Sequence, residues 1–200
     1  MEIEGKTVLV LGGAGLVGMA VCRQLMEAGP SRLVVAARRR ERAEQAVQAL
    51  CEDFPDTQVH LVPAWGDVFL RAAWQSDVPT SRASVMADKQ KRRQLVADIL
   101  DPLNEEIVAS STLACMVEGK LPGLDDVPAQ IIIDCMNTAT AISYQNIYEL
   151  AQGLLDSSTH AVKSEALEAL LTSLYVPQLV RHTQLLQQAM QHAGTQAYIK

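Results

Sequence analysis

The chain has 200 residues, of which 48% are hydrophobic and 20% charged, and its formal net charge at pH 7 is −6. This composition is enough to bury a sizeable core, and it excludes collagen-like, extensively disordered and membrane-spanning proteins. The acidic balance and the 4% aromatic content argue against nucleic acid as a partner, because nucleic-acid binders carry basic and stacking residues. The acidic N-terminus lacks a secretory signal pattern, so a cytoplasmic location without membrane contact is expected.

The first third of the chain alternates between strand and helix patterns. Apolar runs predict buried strands at residues 7–11 and 33–37, and residues 58–62 are predicted as a third strand. Residues 16–28 and 39–52 carry apolar side chains at helical spacing. Strands without polar interruptions are typical of a parallel sheet buried on both faces. The alternation therefore predicts a βαβαβ unit with right-handed crossovers.

The middle of the chain is less regular. Residues 69–130 contain no strong strand pattern, and so long a connection must hold structure of its own. Helical patterns cover residues 88–100 and 102–117, and Asp101 followed by Pro102 predicts the start of the second of these helices. We therefore expect residues 69–130 to form a helical insertion between the third and fourth strands.

Regular alternation returns in the last third. A fourth strand is predicted at 131–134, helices at 143–155 and at 163–192 with an interruption at Pro177, and the start of a fifth strand at 196–200. Together these elements predict an α/β fold with a doubly wound parallel sheet, the Rossmann NAD(P)-binding fold. Because the predicted sheet stops at its fifth strand, we expect residues 1–200 to be a single NAD(P)-binding domain truncated there.

A glycine-rich loop joins the first strand to the first helix. Its residues are Gly12, Gly13, Ala14, Gly15, Leu16, Val17 and Gly18. A pyrophosphate needs a backbone that it can approach closely and amide hydrogens directed at it from the start of a helix, and this loop offers both. The strand before it and the helix after it predict a dinucleotide site. The alternative is a tight turn that only packs the helix on the strand.

The end of the second strand indicates which dinucleotide is bound. An acidic residue there would bind the ribose hydroxyls of NAD, but here Ala37 is followed by Arg38, Arg39 and Arg40. Guanidinium groups in place of a carboxylate favour the 2′-phosphate of NADP, with Arg38 as the first candidate and Arg39 beside it. A solvated helix start is the alternative interpretation of these arginines, and NAD stays open as the cofactor.

A third candidate contact follows the third strand, at Gly66, Asp67 and Val68. The carboxylate of Asp67 can accept a hydrogen bond from the adenine amino group while the backbone of Val68 meets the ring. Asp67 as a plain helix cap fits the sequence equally well. The sequence leaves these two roles open.

These motifs resemble the short-chain dehydrogenase/reductase superfamily, especially its extended, epimerase-like branch. The resemblance rests on the glycine loop, on Ala37 with Arg38 and on the segment from Gly66 to Val68, and it extends over nearly the whole chain apart from the insertion. It implies hydride transfer between a nicotinamide dinucleotide and an unidentified small-molecule substrate. It also places Asn137 and Thr138 against the cofactor, and it leaves a homo-oligomer open.

The catalytic pair of that superfamily is missing. The family uses a Tyr and a Lys four residues later, whereas here Tyr144 is followed at that spacing by Tyr148, Tyr148 by Gln152, and Tyr175 by Leu179. We therefore assign no catalytic residue and expect the catalytic segment to be absent from this chain. The four histidines are scattered without the spacing of metal ligands, so no metal site is expected.

Two other interpretations stay open at this point. The missing pair and the helical insertion favour a non-catalytic nucleotide-binding module with a regulatory or scaffold role. The saccharopine-dehydrogenase-like NADP-binding domains are also similar, through the glycine loop and the sequence at residues 36–44. That second likeness would make the chain part of a different reductase with the same cofactor.

Overall fold

The structure is a computed structural model that describes residues 2–75, 82–137, 147–156 and 160–200. The chain divides into two compact units. The first, which we call the sheet unit, comprises Met1–Pro79, Val108–Met136 and Leu185–Lys200. The second, the helical unit, comprises Thr80–Ile107 and Asn137–Gln184.

The sheet unit is built on five parallel strands. They are β1 (Thr7–Leu11), β2 (Arg32–Ala37), β3 (His60–Trp65), β4 (Ile131–Asp134) and β5 (Ala197–Ile199). Their order in the sheet is β3-β2-β1-β4-β5. The direction of strand addition thus reverses between β1 and β4, as in a Rossmann sheet, and the crevice at that reversal is where such folds bind ligands. The predicted fold class is confirmed.

One face of the sheet packs against two helices, α1 (Leu16–Glu27) and α2 (Arg40–Asp53). The buried residues of this core are Val8, Val10, Cys22, Leu25, Met26, Leu33, Val35, Ala46, Leu50 and Ile131. They alternate along each strand and recur every three or four residues along each helix, as burial of one sheet face requires. Each large aliphatic side chain in this core contributes about 1.5–3 kcal/mol of transfer free energy. The core therefore holds α1 and α2 against one face of the sheet.

The third strand begins two residues later than the sequence pattern predicts, and it includes Pro63. The N–H of His60 donates to the carbonyl of Ser31, and the N–H of Gly66 donates to the carbonyl of Ala37. Alternate residues thus pair with β2, and Pro63 falls among those that face the open edge of the sheet. A proline is tolerated there because no ladder hydrogen bond needs its N–H.

Several helices lie in the described part of the segment between β3 and β4, as predicted. They are a 3₁₀ turn (Ala72–Trp74), α3 (Arg82–Ala87), α4 (Lys89–Leu100), α5 (Glu105–Ser110) and α6 (Thr112–Val117). The single helix predicted at 102–117 is wrong, because Ser111 ends the first piece and caps the second by accepting a hydrogen bond from the N–H of Ala114. The expected start at Asp101 is also wrong. Asn104 accepts from the N–H of Ile107 at 2.9 Å instead.

In the part of the chain after β4 that the structure describes, three further helices follow: α7 (Ile147–Asp156), α8 (His160–Ser173) and α9 (Tyr175–Ala193). The predicted interruption at Pro177 is wrong, since the break lies at Leu174 and Pro177 sits in the first turn of α9. The N–H of a first-turn residue has no acceptor within its helix, so a proline there costs no hydrogen bond. Residues 143–146, where the predicted helix 143–155 begins, lie outside the described residues.

Ion pairs hold the helical unit together between α4 and α8. The buried guanidinium of Arg92 lies 2.8 Å from Glu168 and 3.0 Å from Glu165, and Arg93 contacts the other oxygen of Glu168 at 2.9 Å. Glu168 is thus shared between two arginines, which offsets the cost of burying the charge of Arg92. Within the described residues, no helix of either unit is long and apolar enough to cross a bilayer.

Candidate dinucleotide-binding cleft

The glycine loop turns from β1 into α1 with no room for side chains. Gly12 has a φ of +74°, which favours glycine. A Cβ atom on Gly13 would lie 2.8 Å from Cγ1 of Val35, and one on Gly18 would lie 2.2 Å from the carbonyl oxygen of Gly12. Any larger residue would therefore push the loop away from the strand and the helix that it joins.

The first turn of α1 has the features of an anion-binding site. Its N-cap is Gly15, no side chain caps it, and its first turn contains no acidic residue. The first amides of a helix have no acceptor within the helix, and the helix dipole makes this end electropositive. The side chains of Leu16 and Val17 are exposed at this end. A phosphate is the kind of ligand that such a helix start accepts.

A cleft of about 440 Å³ opens beside the loop. Its lining residues are Gly12, Ala14, Gly15, Ala37, Arg38, Arg39, Arg42 and Cys135. They come from the β1–α1 loop, the end of β2, the start of α2 and the residue after β4. The described lining holds three guanidinium groups and no carboxylate. Its charge and its glycine backbone fit a ligand with several phosphates.

The arginines after β2 divide into two groups. Arg38, Arg39 and Arg42 line the cleft, whereas the guanidinium of Arg40 contacts Glu44 at 2.7 Å and lies 5.0 Å from the ring centroid of Trp65. Of the arginines that the sequence analysis singled out, Arg40 is thus the one that does not line the cleft. Arg42 was missed. The sequence feature that could have predicted it is its position three residues after Arg39, since residues three apart are neighbours on a helix surface.

Asp67 lies next to Arg38. Its Oδ2 is 3.8 Å from Nε of Arg38, and its Oδ1 accepts a hydrogen bond from the N–H of Phe69 at 3.1 Å. The carboxylate thus closes a short turn after β3, which is a local capping role outside a helix. The side chain of Val68 is buried, so only its backbone is suited to meet a ring. The adenine contact of both residues stays a prediction.

The two residues expected against the cofactor after β4 are Asn137 and Thr138, and neither is among the described residues that line the cleft. Asn137 is exposed and belongs to the helical unit, and Thr138 lies outside the described residues. Tyr144 lies outside them as well. The cofactor contact of Asn137 and Thr138 therefore stays a prediction.

Cys135 also lines the cleft, although it was not among the predicted cofactor-binding residues. Burial and the neighbouring charge of Asp134 raise the pKa of the Cys135 thiol above its ordinary value of 9.0. The thiol therefore stays protonated at neutral pH. A protonated thiol is a poor nucleophile, so Cys135 contributes an uncharged, unreactive side chain to the lining of the cleft.

A polar network surrounds the buried carboxylate of Asp134, at the end of β4 in the same unit. The fully buried carboxylate of Asp134 accepts hydrogen bonds from the N–H of Met136, the hydroxyl of Tyr198 and the ammonium of Lys200. Burial and the hydrogen bond to Asp134 raise the pKa of Tyr198. A catalytic tyrosine base needs the opposite shift. The sequence signal was the alternation of Tyr198 and Lys200, which puts both on one side of β5.

Comparisons with known proteins bear on the first half of the chain. Residues 6–97 match the family model of the KR domain. Oxidoreductase fscI from Fusarium equiseti is 36% identical over 62 residues, which are 30% of this chain and 24% of that protein. The chain thus matches about a quarter of that relative's length.

Solved structures resemble the chain more distantly. A short-chain dehydrogenase/reductase from Serratia marcescens is 17% identical, with 85% of this chain and 66% of that chain covered and a TM-score of 0.29. A-type ketoreductases from a modular polyketide synthase are 19% identical, with 98% and 37% covered and a TM-score of 0.36. Likeness at these TM-scores carries no weight for function.

Proposed function

We propose that the chain binds NADP(H) as the cofactor-binding portion of an oxidoreductase or epimerase. The proposal is supported by the match of residues 6–97 to the KR domain model and by the likeness to Oxidoreductase fscI. The observation that supports this most strongly is the cleft in which the glycine loop meets Arg38, Arg39 and Arg42. When bound, NADPH supplies the hydride for reduction of a small molecule.

The glycine loop is the proposed binding site of the pyrophosphate. Its close packing leaves the backbone bare at Gly12 and Gly13, and the first-turn amides of Leu16, Val17 and Gly18 are the donors that an anion needs. The backbone at Ala14 and Gly15 lines the same cleft. This set of residues binds the part of the cofactor that NADP and NAD share, so it sets affinity rather than selectivity.

Selectivity for NADP is assigned to the arginines. A 2′-phosphate carries up to two negative charges and three acceptor oxygens, and guanidinium groups bind such groups with paired, charge-assisted hydrogen bonds. Arg38, at the end of β2, replaces the carboxylate that would bind the ribose hydroxyls of NAD. Arg39 and Arg42 add two further positive charges to the lining of the cleft.

The proton chemistry of the reaction is proposed to come from residues outside this chain. The sequence has no Tyr-x-x-x-Lys, and Tyr198, which has a lysine two residues later, is kept protonated by burial and by its hydrogen bond to Asp134. Its hydroxyl hydrogen already binds Asp134 at 2.9 Å. Tyr198 is therefore unsuited to exchange a proton with a substrate.

The test is calorimetric titration of the chain with NADPH and with NADH. We expect NADPH to bind at least about tenfold more tightly, and Arg38→Ala to lose most of that preference while NADH affinity changes little. Arg23→Ala is the matched control, because Arg23 is an exposed arginine on α1 that pairs with Asp53 outside the cleft. The cofactor assignment fails if NADPH does not bind, or if Arg38→Ala leaves the ratio of the two affinities unchanged.

A non-catalytic nucleotide-binding module is the second candidate. The protonated state of Tyr198 and the missing Tyr-x-x-x-Lys favour it. Such a module binds NADPH without consuming it in the presence of any carbonyl compound. Oxidation of NADPH with a panel of aldehydes and ketones, by a longer protein that contains this chain, would exclude this alternative.

A further inference from the structure

We infer that Asp134 and Lys200 are positioning residues of the dinucleotide cleft, because together they fix the turn at Met136 against the glycine loop. This inference rests on the proposed function. It adds Asp134 and Lys200, which do not line the cleft, to the residues on which cofactor binding depends. The polar network around Asp134 thereby gains a role.

Asp134 and Lys200 form hydrogen bonds with both backbone polar groups of Met136. Oδ1 of Asp134 accepts a hydrogen bond from the N–H of Met136 at 2.8 Å. The ammonium of Lys200 donates to the carbonyl of Met136 at 2.7 Å and to Oδ2 of Asp134 at 2.8 Å. A turn held at its N–H and at its carbonyl by a joined ion pair has little freedom to shift.

This turn forms part of the packing beneath the glycine loop. A Cβ atom on Gly12 would lie 3.2 Å from Cγ of Met136 and 3.3 Å from its backbone nitrogen. The N–H of Cys135 donates to the carbonyl of Leu11 at 2.9 Å, and Cys135 lines the cleft itself. A displacement of the turn would therefore change the position of Gly12, where the pyrophosphate is proposed to bind.

The three donors to Asp134 have different consequences when they are removed. Lys200 supplies the only positive charge among them, and a buried carboxylate without a counter-charge is costly. Lys200 also holds Met136 directly. Tyr198 donates one neutral hydrogen bond to Asp134 and has no described hydrogen bond to Met136. Loss of Lys200 thus releases the turn, whereas loss of the Tyr198 hydroxyl leaves both anchors of Met136 in place.

Two ligands distinguish the two possible roles of this network, which are to position the glycine loop or only to support the fold. NADPH engages the glycine loop and the arginines, whereas adenosine 2′-monophosphate carries the 2′-phosphate but has no 5′-phosphate to reach the loop. We expect Lys200→Met to weaken NADPH binding about tenfold, which corresponds to the loss of about one hydrogen bond to a charged group. Binding of the monophosphate should stay within about twofold of wild type, because the arginines are unchanged.

The experiment titrates both ligands into wild type, Lys200→Met, Lys200→Arg and Tyr198→Phe, with thermal unfolding of each variant. Lys200→Arg keeps the charge and the donors, so it should restore NADPH affinity to within about threefold. Tyr198→Phe should bind both ligands within about twofold of wild type. Thermal unfolding identifies any variant that fails to fold, and Lys200→Gln serves as a second uncharged variant at this half-exposed position.

Two results overturn the inference alone: Lys200→Met and Lys200→Gln bind NADPH as wild type does, or they weaken both ligands equally. Equal weakening would mean that the network supports the fold without positioning the loop. A wild-type chain that binds neither ligand overturns the proposed function, and the inference falls with it. The two failures are therefore distinguishable in one set of titrations.

Discussion

Nε of Arg38 lies 3.8 Å from Oδ2 of Asp67, and this contact joins the end of β2 to the turn after β3. The side chain of Arg38 is 68% exposed and that of Asp67 15%, so the arginine can turn to a ligand while the carboxylate is held by its own turn. In the proposed complex, the 2′-phosphate of NADP and the carboxylate of Asp67 compete for one guanidinium. We therefore expect the pair to limit the proposed preference of the cleft for NADP.

The first prediction removes this competition. Asp67→Asn should raise NADPH affinity about fivefold, because it releases Arg38 and removes a negative charge near the phosphate, an effect of about 1 kcal/mol. NADH affinity should change by less than about twofold, since Asn still offers an acceptor oxygen. Calorimetric titration measures both. Asp53→Asn, in the exposed pair with Arg23, is the control, and unchanged or weaker NADPH binding by Asp67→Asn would contradict the prediction.

The second prediction compares two glycines within helices. In Gly18→Ala the new Cβ would lie 2.2 Å from the carbonyl oxygen of Gly12, so we expect a loss of about 2 kcal/mol in the free energy of unfolding. In Gly153→Ala the new Cβ meets nothing within 4 Å. That variant should gain up to about 1 kcal/mol from helix propensity alone. Urea unfolding followed by circular dichroism measures both, and a stabilised Gly18→Ala would show that the loop is not closely packed.

The third prediction concerns the acid stability of the helical unit. Partial burial acts to raise the pKa of Glu168, but hydrogen bonds from Arg92 and Arg93 outweigh it, and the net shift is below the ordinary value of 4.5. A lowered folded pKa contributes stability above the unfolded pKa, and this stability is lost as pH falls through the folded pKa. We therefore expect Glu168→Gln to unfold about 2 kcal/mol more easily at pH 7 and to lose less stability on acidification below about 4.5.

Glu44→Gln is the matched control for that measurement, because Glu44 pairs with Arg40 on an exposed surface. It should change the free energy of unfolding by less than about 1 kcal/mol. Urea unfolding at a series of pH values from neutral to acid measures all three proteins. Parallel acid profiles for wild type and Glu168→Gln would contradict the prediction.

The fourth prediction concerns the ionisation of Tyr198. Burial, followed by the hydrogen bond to Asp134 and the charge of that carboxylate, raises its pKa above the ordinary 10.0. As pH rises, the tyrosines of the chain ionise and their absorbance changes. Tyr198→Phe should therefore remove only the part of this change that occurs at the highest pH. Because the folded pKa is the higher one, the stability that Tyr198 contributes is present below about 10 and lost above it. If the variant instead lost absorbance change near pH 10, the pKa of Tyr198 would not be raised and the prediction would be wrong.

Much of the fold follows from local sequence patterns. Buried strands of a parallel sheet must be apolar throughout, so the runs at β1, β2 and β4 were predicted at or within one residue of their bounds. Local patterns failed at Pro63 and Pro177. Whether a proline is tolerated depends on which neighbour its missing N–H would have faced, and that is set by the strand order and by where a helix begins.

The sequence by itself determined the glycine loop, its place between a strand and a helix, and the arginines after β2, because each is a local requirement of chain geometry and charge. Only the tertiary structure decided which of those arginines line the cleft, that Arg42 and Cys135 line it too, and that Asp67 lies beside Arg38. It also brought Lys200 to Asp134, 66 positions apart in the chain. Such contacts depend on the parallel pairing of β4 with β5, which no local pattern specifies.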